Sequence, residues 1–255
     1  MEPLEERGFV FLHGEAAGEW LGAGADADDW SAYAESWNDL ELDTYMADRG
    51  RYRRRRHARF EGRPDGTWER GPDGPHHQDL EYNRLNGGIE RWYAAIEPGV
   101  VATRPFSSQL EQGLALFSAL EPSAERWGIE AHQFRIEARV GEAGLPTPEG
   151  IHRDGVDYVL VSLVGRANVR SGTTTVHDEA GTTLGSFTLT DSLDTALLDD
   201  RRVWHGVTPV EPIDETAEAW RDVLVLTFRA TPGRFEDSLD TVLAKRRDVL
   251  RRLAE

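Results

Sequence analysis

Two short motifs bring together residue types that bind metal ions. His152 and Asp154 stand in residues 148–155 (PEGIHRDG), and His205 stands in residues 203–209 (VWHGVTP). Because side chains alternate along an extended backbone, an H-x-D pair sends both donor groups to one face. A histidine from a later strand would then complete two imidazoles and one carboxylate around a single ion. This set is typical of Fe(II), since it holds one face of an octahedral ion and leaves the opposite face open.

An arginine follows this proposed metal site along the chain. Arg221 lies sixteen residues after His205 and opens the apolar run DVLVLTF. A strand beside the distal histidine that begins with arginine can aim a guanidinium at a carboxylate whose other end chelates the metal. The forked guanidinium suits this role because it pairs with two carboxylate oxygens at once. Arg229 has the same parity and could also point inward, but the position of Arg221 at the start of the strand favours Arg221.

The composition restricts both the class of protein and the class of metal ligand. The chain has 255 residues, enough for one domain with a sizeable core, and it contains no cysteine. Disulfides and thiolate metal sites are therefore excluded, and any metal must be held by His, Asp or Glu. The absence of cysteine also favours a cytoplasmic protein.

The charge and hydropathy of the chain argue against two kinds of partner. A formal net charge of -17 disfavours nucleic acid, because phosphate binding relies on a basic surface. No stretch approaches the roughly 18 apolar residues of a membrane span. The acidic N-terminus (MEPLEERGFVFLHG) lacks the basic start and apolar core of a signal peptide.

The elements that must position the metal-binding motifs change character near residue 131. Residues 1–130 are predicted to be mixed α/β, residues 131–230 a core of short strands, and residues 231–255 a C-terminal helix. Strands are predicted at 131–140, 156–164, 173–176, 185–190, 195–198, 203–207 and 222–228. Helices are predicted at 28–38, 105–120 and 237–254. This pattern indicates one mainly β domain with flanking helices, a double-stranded β-helix (jelly roll, cupin-like).

Several other polar residues require an interpretation. The arginine-rich residues 49–57 (RGRYRRRRH) are expected to form a solvated face or ion pairs with the surplus acids, with a substrate-carboxylate or RNA contact as the alternative. His132, at the start of a strand, is expected to be structural, although a position facing the substrate is the alternative. His177 is expected at the surface. The loop residues His76 and His77 have no supporting partner for Fe(II) ligation.

At the level of whole motifs the chain resembles a known family. The matching segments are 43–48 (DTYMAD) with Tyr52 and Arg53, 86–91 (NGGIER), 132–137 (HQFRIE), 148–155, 198–209 and 221–225. Through these segments, which span roughly residues 40–230, it resembles the 2-oxoglutarate/Fe(II)-dependent dioxygenases, in the group that includes bacterial L-isoleucine dioxygenase. One departure is Arg170-Ser-Gly172, where the resemblance leads us to expect a Gly-Gly pair, in a turn away from the site.

The resemblance implies a role for each candidate residue. His152, Asp154 and His205 would hold Fe(II), and Arg221 would bind the far carboxylate of 2-oxoglutarate, leaving one position for O2. Decarboxylation of 2-oxoglutarate to succinate and CO2 would accompany hydroxylation of an unactivated C–H bond. Asp154 argues against halogenation, which needs the carboxylate position to be vacant.

The implied substrate is a free L-amino acid, most simply an aliphatic one, with neither nucleic acid nor membrane as a partner. Two alternatives stay open: the same chemistry on a carrier-bound or peptidyl substrate, and a non-catalytic jelly-roll protein that binds a metal or another ligand. Tyr52, Arg53 and the residues near Asn86 are candidates for substrate contact.

Overall fold

Within residues 2–22, 27–46, 50–78 and 87–231, which the computed structural model describes, the chain forms five α-helices and thirteen β-strands. The helices are α1 (Glu2–Arg7), α2 (Gly14–Leu21), α3 (Ala27–Glu35), α4 (Pro98–Val101) and α5 (Arg104–Leu120), and a 3₁₀ turn (Ser36–Asp39) follows α3. The predicted helices 28–38 and 105–120 correspond to α3 with its 3₁₀ turn and to α5. The predicted helix 237–254 lies outside the described residues.

The strands in the described residues differ in length, since four have 10 to 13 residues and the other nine have two to six. They are β1 (Phe9–Leu12), β2 (Glu41–Leu42), β3 (Arg53–Gly62), β4 (Trp68–Arg70), β5 (Arg126–Ala138), β6 (Tyr158–Ala167), β7 (Val169–Ser171), β8 (Thr173–His177), β9 (Thr183–Thr188), β10 (Thr195–Asp199), β11 (Trp204–Val207), β12 (Val210–Pro212) and β13 (Ala219–Thr231).

Two antiparallel layers face each other. The large sheet has eight strands in the order β1-β10-β6-β13-β5-β3-β2, with β4 paired to β3. The facing layer consists of β11-β8-β9 and the pair β12-β7, and isolated bridges at His152–His205 and Gly144–Val210 add the segment that precedes β6. This arrangement confirms the predicted jelly roll. The large sheet draws strands from both sides of residue 131.

Alternation along β13 explains why one sheet has two different faces. Leu224, Leu226 and Phe228 belong to a core cluster that includes α5, whereas Val223 and Val225 line a cavity between the two layers. Because successive strand side chains point to opposite faces, one strand both packs against the helices and builds the cavity wall. The helices therefore cover the outer face of the large sheet and leave its inner face for the site.

Helix α5 is held on the sheet by an aromatic cluster. The ring of Phe117 is stacked on that of Tyr158, with centroids 4.6 Å apart, and meets the ring of Phe228 edge-on at 4.8 Å. Phe117 is fully buried. Its apolar spacing with Leu110 and Leu114 is the pattern that predicts this helix from the sequence.

We expect Phe117→Ala to lower the free energy of unfolding by about 3–5 kcal/mol, because it removes buried ring surface and leaves a cavity. Leu116→Ala, one residue away and only partly buried against the same cluster, should cost clearly less. Urea unfolding of the two variants measures both losses. An equal loss for the two variants would show that the ring of Phe117 is not a principal contact between α5 and the sheet.

The arginine-rich segment is the largest departure from the predicted structure. Residues Arg53–Gly62 form β3, a strand inside the large sheet, and Arg53, Arg55 and Arg59 are buried on its inner face. The expectation of a solvated face is therefore wrong. The expected ion pairs exist in part: Arg53 contacts Asp43 at 2.7 Å and Arg54 contacts Glu137 at 2.6 Å.

The short strand β4 pairs with the end of β3, and helix α2 follows β1. None of the helices in the described part of the chain is long and apolar enough to cross a bilayer.

Candidate active site

The two metal-binding motifs meet because their backbones pair directly. The N–H of His152 donates to the carbonyl of His205 at 2.8 Å, and the N–H of His205 donates to the carbonyl of His152 at 2.9 Å. The two residues are thus opposite each other in an antiparallel bridge, and their ring centroids are 4.5 Å apart. Strand β11, which carries His205, is in turn paired with β8. Backbone pairing within the facing layer therefore places the two imidazoles side by side.

Asp154 is positioned by a second carboxylate that the sequence interpretation missed. The Asp200 side chain accepts the backbone N–H groups of Asp154, Gly155 and Val156 at 3.0, 2.8 and 3.1 Å. These bonds hold the loop after His152 in a tight curve. Burial and the nearby charge of Asp154 raise the pKa of Asp200 to about 7. The sequence signal that could have indicated this role is the acidic pair Asp199-Asp200 at the end of the buried strand β10.

The three donor groups of His152, Asp154 and His205 converge as predicted. Nε2 of His152 lies 3.5 Å from Oδ1 of Asp154, and Nε2 of His205 lies 3.7 Å from Oδ2. One ligand atom from each residue lies within 4.8 Å of the others. Nδ1 of His152 donates to the carbonyl of Gly150 at 3.1 Å, so the neutral imidazole carries its proton on Nδ1 and presents Nε2 to a metal. The donor set and tautomer fit Fe(II).

The surroundings shift the pKa values of the two histidines in opposite directions. Burial disfavours the charged imidazolium of His152, but the hydrogen bond and charge of Asp154 outweigh it and raise the pKa of His152 to about 9. Burial and the neighbouring His152 lower the pKa of His205 to about 4. A divalent metal at this position would replace the proton that His152 shares with Asp154.

A cavity of about 320 Å³ opens in front of these three residues, between the two layers. Its volume suits small molecules. Part of its wall is aliphatic, and part is basic. The aliphatic part comes from the inner faces of β6, β10 and β13 (Val159, Val161, Ala196, Leu198, Val223, Val225), and the basic part comes mainly from β3 and the loop before α4 (Arg53, Arg55, Arg59, Arg91).

Arg221 and Arg229 both line this cavity, as their common parity predicts, but their environments differ. Arg221 is 2% exposed and its Nε has no hydrogen-bond partner among the described residues. Burial and the neighbouring Arg166 lower the pKa of Arg221 to about 10, so it remains a cation at neutral pH. Arg229 is exposed and donates a hydrogen bond to the carbonyl of Gly155.

The Arg170-Ser-Gly172 turn lies closer to the site than we expected from the sequence. Ser171 and Gly172 both adopt positive φ, of 65° and 76°. A Cβ added to Gly172 would come within 3.5 Å of Cδ of Arg221. The turn therefore borders the buried guanidinium.

A second group of metal-binding residue types borders the same cavity. One ligand atom each from His57, His76, Glu130 and His132 lies within 4.8 Å of the others. Arg55 donates to Nδ1 of His132 at 2.6 Å, so neutral His132 carries its proton on Nε2 and cannot bind a metal through that atom. His132 is therefore not a ligand in this group, whereas His57, His76 and Glu130 remain as residues of metal-binding type.

Glu130 accepts imidazole contacts on one oxygen. Nδ1 of His76 lies 2.6 Å from Oε2 of Glu130, and the Nε2 atoms of His57 and His132 lie 3.5 and 3.7 Å from it. Burial raises the pKa of Glu130, but the histidines, His76 foremost, hold it well below its usual range. Burial, followed by the charge of Arg55, lowers the pKa of His132. The cluster joins residues from three separate segments, which sequence spacing could not reveal.

The remaining sequence expectations have mixed outcomes. His177 is buried and contacts Thr175 at 2.9 Å, so the expected surface position is wrong. His132 faces the cavity, which was the alternative interpretation. Of the candidate substrate contacts, Arg53 lines the cavity, whereas Tyr52 packs in a small core cluster. Asn86 lies outside the described residues.

Comparisons with known proteins agree with this geometry. Residues 34–227 match the sequence profile of a family described as 2OG-Fe dioxygenase. The chain is 24% identical over 234 residues to the 3(1)-hydroxy-L-isoleucine 4-dioxygenase of Pantoea ananatis (strain AJ13355), covering 89% of this chain and 93% of that protein.

Two solved structures share the fold. A bsmA homolog from Methylobium petroleophilum PM1 has 39% sequence identity and a TM-score of 0.81, over 90% of this chain and 91% of the other. The Fe(II)/(alpha)ketoglutarate-dependent dioxygenase TqaL has 23% identity and a TM-score of 0.68, over 91% of this chain and 86% of the other.

Proposed function

Because the chain belongs to the 2OG-Fe dioxygenase family, an oxidoreductase family that uses Fe(II), 2-oxoglutarate and O2, we propose that it hydroxylates an unactivated C–H bond of a free, aliphatic L-amino acid. The observation that carries this proposal is one small cavity that combines a His-Asp-His group, an aliphatic wall and buried arginines. The name of the Pantoea ananatis relative, an isoleucine-derivative dioxygenase, supports the same substrate class.

We assign Fe(II) to His152, Asp154 and His205, and the far carboxylate of 2-oxoglutarate to Arg221. The convergence of the three donor groups supports the first assignment. The unpaired Nε of the deeply buried Arg221 supports the second, because a buried guanidinium is costly without an anion to pair with. Arg229 is less suited to this role because it is exposed and already donates to a carbonyl.

When bound, Fe(II) and 2-oxoglutarate supply the oxidising chemistry, in which decarboxylation to succinate and CO2 accompanies insertion of one oxygen atom into a C–H bond. The residues of this chain orient the reactants and exclude water. The valines and leucines of β6, β10 and β13 form an apolar wall that would receive an aliphatic side chain and keep it desolvated. The basic wall formed by β3 and Arg91 would receive a carboxylate.

Succinate formation tests the proposed substrate class. The protein with Fe(II), 2-oxoglutarate and O2 is incubated with each free aliphatic L-amino acid in turn, and succinate and product mass are measured. We expect at least one amino acid to raise succinate formation above the background without substrate, and to gain one oxygen atom.

The matched control uses the same amino acids with both ends capped, as N-acetyl amides, which imitate a peptidyl or carrier-bound substrate. Capped compounds should give only background turnover, because the cavity is small and its polar groups would face uncharged ends. Turnover of capped compounds alone would show that the free-amino-acid assignment is wrong.

A further inference from the structure

Glu149 is a mostly buried acidic residue of the cavity to which the proposed reaction assigns no role. It lies three residues before His152, lines the cavity, and its side chain is 13% exposed. Its Oε1 lies 3.6 Å from Nε2 of His152, whereas its Oε2 is buried without a hydrogen-bond partner among the described residues. A buried carboxylate oxygen without a partner is costly. This residue therefore needs a cation or a donor that the described protein does not supply.

The charges expected when Fe(II) and 2-oxoglutarate are bound strengthen the argument that Glu149 needs a cation. His152 is the basic side chain that contacts Glu149, and as a metal ligand it would be neutral. The formal charges of Fe(II), Asp154, Arg221 and the dianion of 2-oxoglutarate sum to zero. Glu149 then remains as a negative charge without a partner beside the metal.

Glu149 lies near the proposed metal position but is not one of the proposed metal ligands. The group of mutually close donor atoms comprises His152, Asp154 and His205 and does not include Glu149. The other acidic residue facing the cavity near the basic wall, Glu130, already accepts contacts from three imidazoles on its Oε2. Of these two glutamates, Glu149 is the one with a buried oxygen, Oε2, that has no hydrogen-bond partner among the described residues.

Among the described residues that line the cavity, Arg91 is a cation suited to the other end of a zwitterion. Arg91 is buried, and no described carboxylate lies within 4.0 Å of it; its NH2 donates to Oε1 of Gln78 at 3.4 Å. Nε2 of Gln78 in turn donates to the carbonyl of Asp154 at 3.2 Å. A side-chain relay thus connects Arg91 to the metal-binding loop. By contrast, Arg53 is already neutralised by Asp43.

From these observations we propose that Glu149 binds the α-ammonium group of the substrate and that Arg91 provides the matching charge for its α-carboxylate. The inference rests on the proposed function, since it assigns the two ends of the free amino acid. An ammonium group supplies three donors, enough to satisfy the unpartnered oxygen of Glu149. The site would then reject compounds that lack the amino group, because binding them would leave Glu149 buried and unpaired.

The test uses the oxygen-free protein loaded with Fe(II) and 2-oxoglutarate, and calorimetric titration with the amino acid that gives the highest succinate turnover. Glu149→Gln keeps the shape of the side chain and removes its charge. We expect amino-acid affinity to fall roughly 10- to 100-fold, the usual loss for one charged hydrogen-bonded contact. Binding of the deaminated carboxylic acid, weak in the wild type, should not fall, because glutamine leaves no buried charge unpaired.

Two further variants and one metal titration separate the possible outcomes. Glu130→Gln should weaken amino-acid binding clearly less than Glu149→Gln, and Arg91→Gln should weaken the amino acid and the deaminated acid alike. Equal affinity of Glu149→Gln and wild type for the amino acid would overturn the proposal, as would a loss of Mn(II) affinity in Glu149→Gln, which would make Glu149 a metal ligand. Failure of every amino acid to stimulate the wild type would instead contradict the proposed function.

Discussion

Replacing His205 with alanine is expected to abolish succinate formation and to weaken metal binding by more than about 100-fold, since even residues that only orient metal ligands contribute roughly 10- to 100-fold. The reason lies in the geometry. His205 is buried opposite His152, and its Nε2 is 3.7 Å from Asp154. Alanine would leave one imidazole and one carboxylate, which cannot hold a face of an octahedral ion. Titration with Mn(II) measures the loss without requiring turnover.

The matched control for this variant is His177→Ala. His177 lies on β8, next to the strand that carries His205, and is buried to a similar degree. It belongs to neither group of metal-binding side chains. Mn(II) affinity should therefore survive this change. If His205→Ala bound Mn(II) as tightly as the wild type, the proposed ligand set would be wrong.

Arg221→Ala is expected to raise the apparent KM for 2-oxoglutarate by roughly 30-fold or more, because truncating one partner of a buried charge pair typically costs about 2–5 kcal/mol. The metal ligands are untouched, so Mn(II) affinity should stay near the wild-type value. The KM of Arg221→Lys for 2-oxoglutarate should lie between those of the wild type and Arg221→Ala, since lysine keeps the charge but lacks the forked group that pairs with both oxygens.

Arg229→Ala is the comparison that decides between the two arginines. Arg229 lines the same cavity but is exposed, so its removal should change the KM for 2-oxoglutarate by only a few-fold. A larger rise in KM for Arg229→Ala than for Arg221→Ala would reverse the assignment. The assay is the rate of succinate formation at several concentrations of 2-oxoglutarate.

Contacts that depend on short local segments could be predicted from the sequence, and these include the metal-binding group. The H-x-D pair and His205 are close because local extended backbone and one antiparallel bridge suffice to bring them together. Strand parity likewise predicted that Arg221 and Arg229 share a face. These predictions depend on periodicity, which the chain carries locally.

The basic wall of the cavity could not be predicted in the same way. Four consecutive arginines suggest a solvent-exposed segment, yet Arg53 and Arg55 are buried in β3. They are buried because Asp43, His132 and two aromatic rings contact their guanidinium groups. Those partners come from distant parts of the chain. The same is true of Glu130 and its histidines, and of Gln78 with Asp154. Long-range pairing of strands, rather than local pattern, decides which charged residues become part of the cavity.

A crystal structure of the protein grown with Mn(II) and 2-oxoglutarate, with the metal located by its anomalous scattering, tests the central claim most directly. The account predicts the anomalous peak between His152, Asp154 and His205, with the far carboxylate of 2-oxoglutarate on Arg221. A metal placed among His57, His76, Glu130 and His132, or a cosubstrate carboxylate on Arg229, would contradict it.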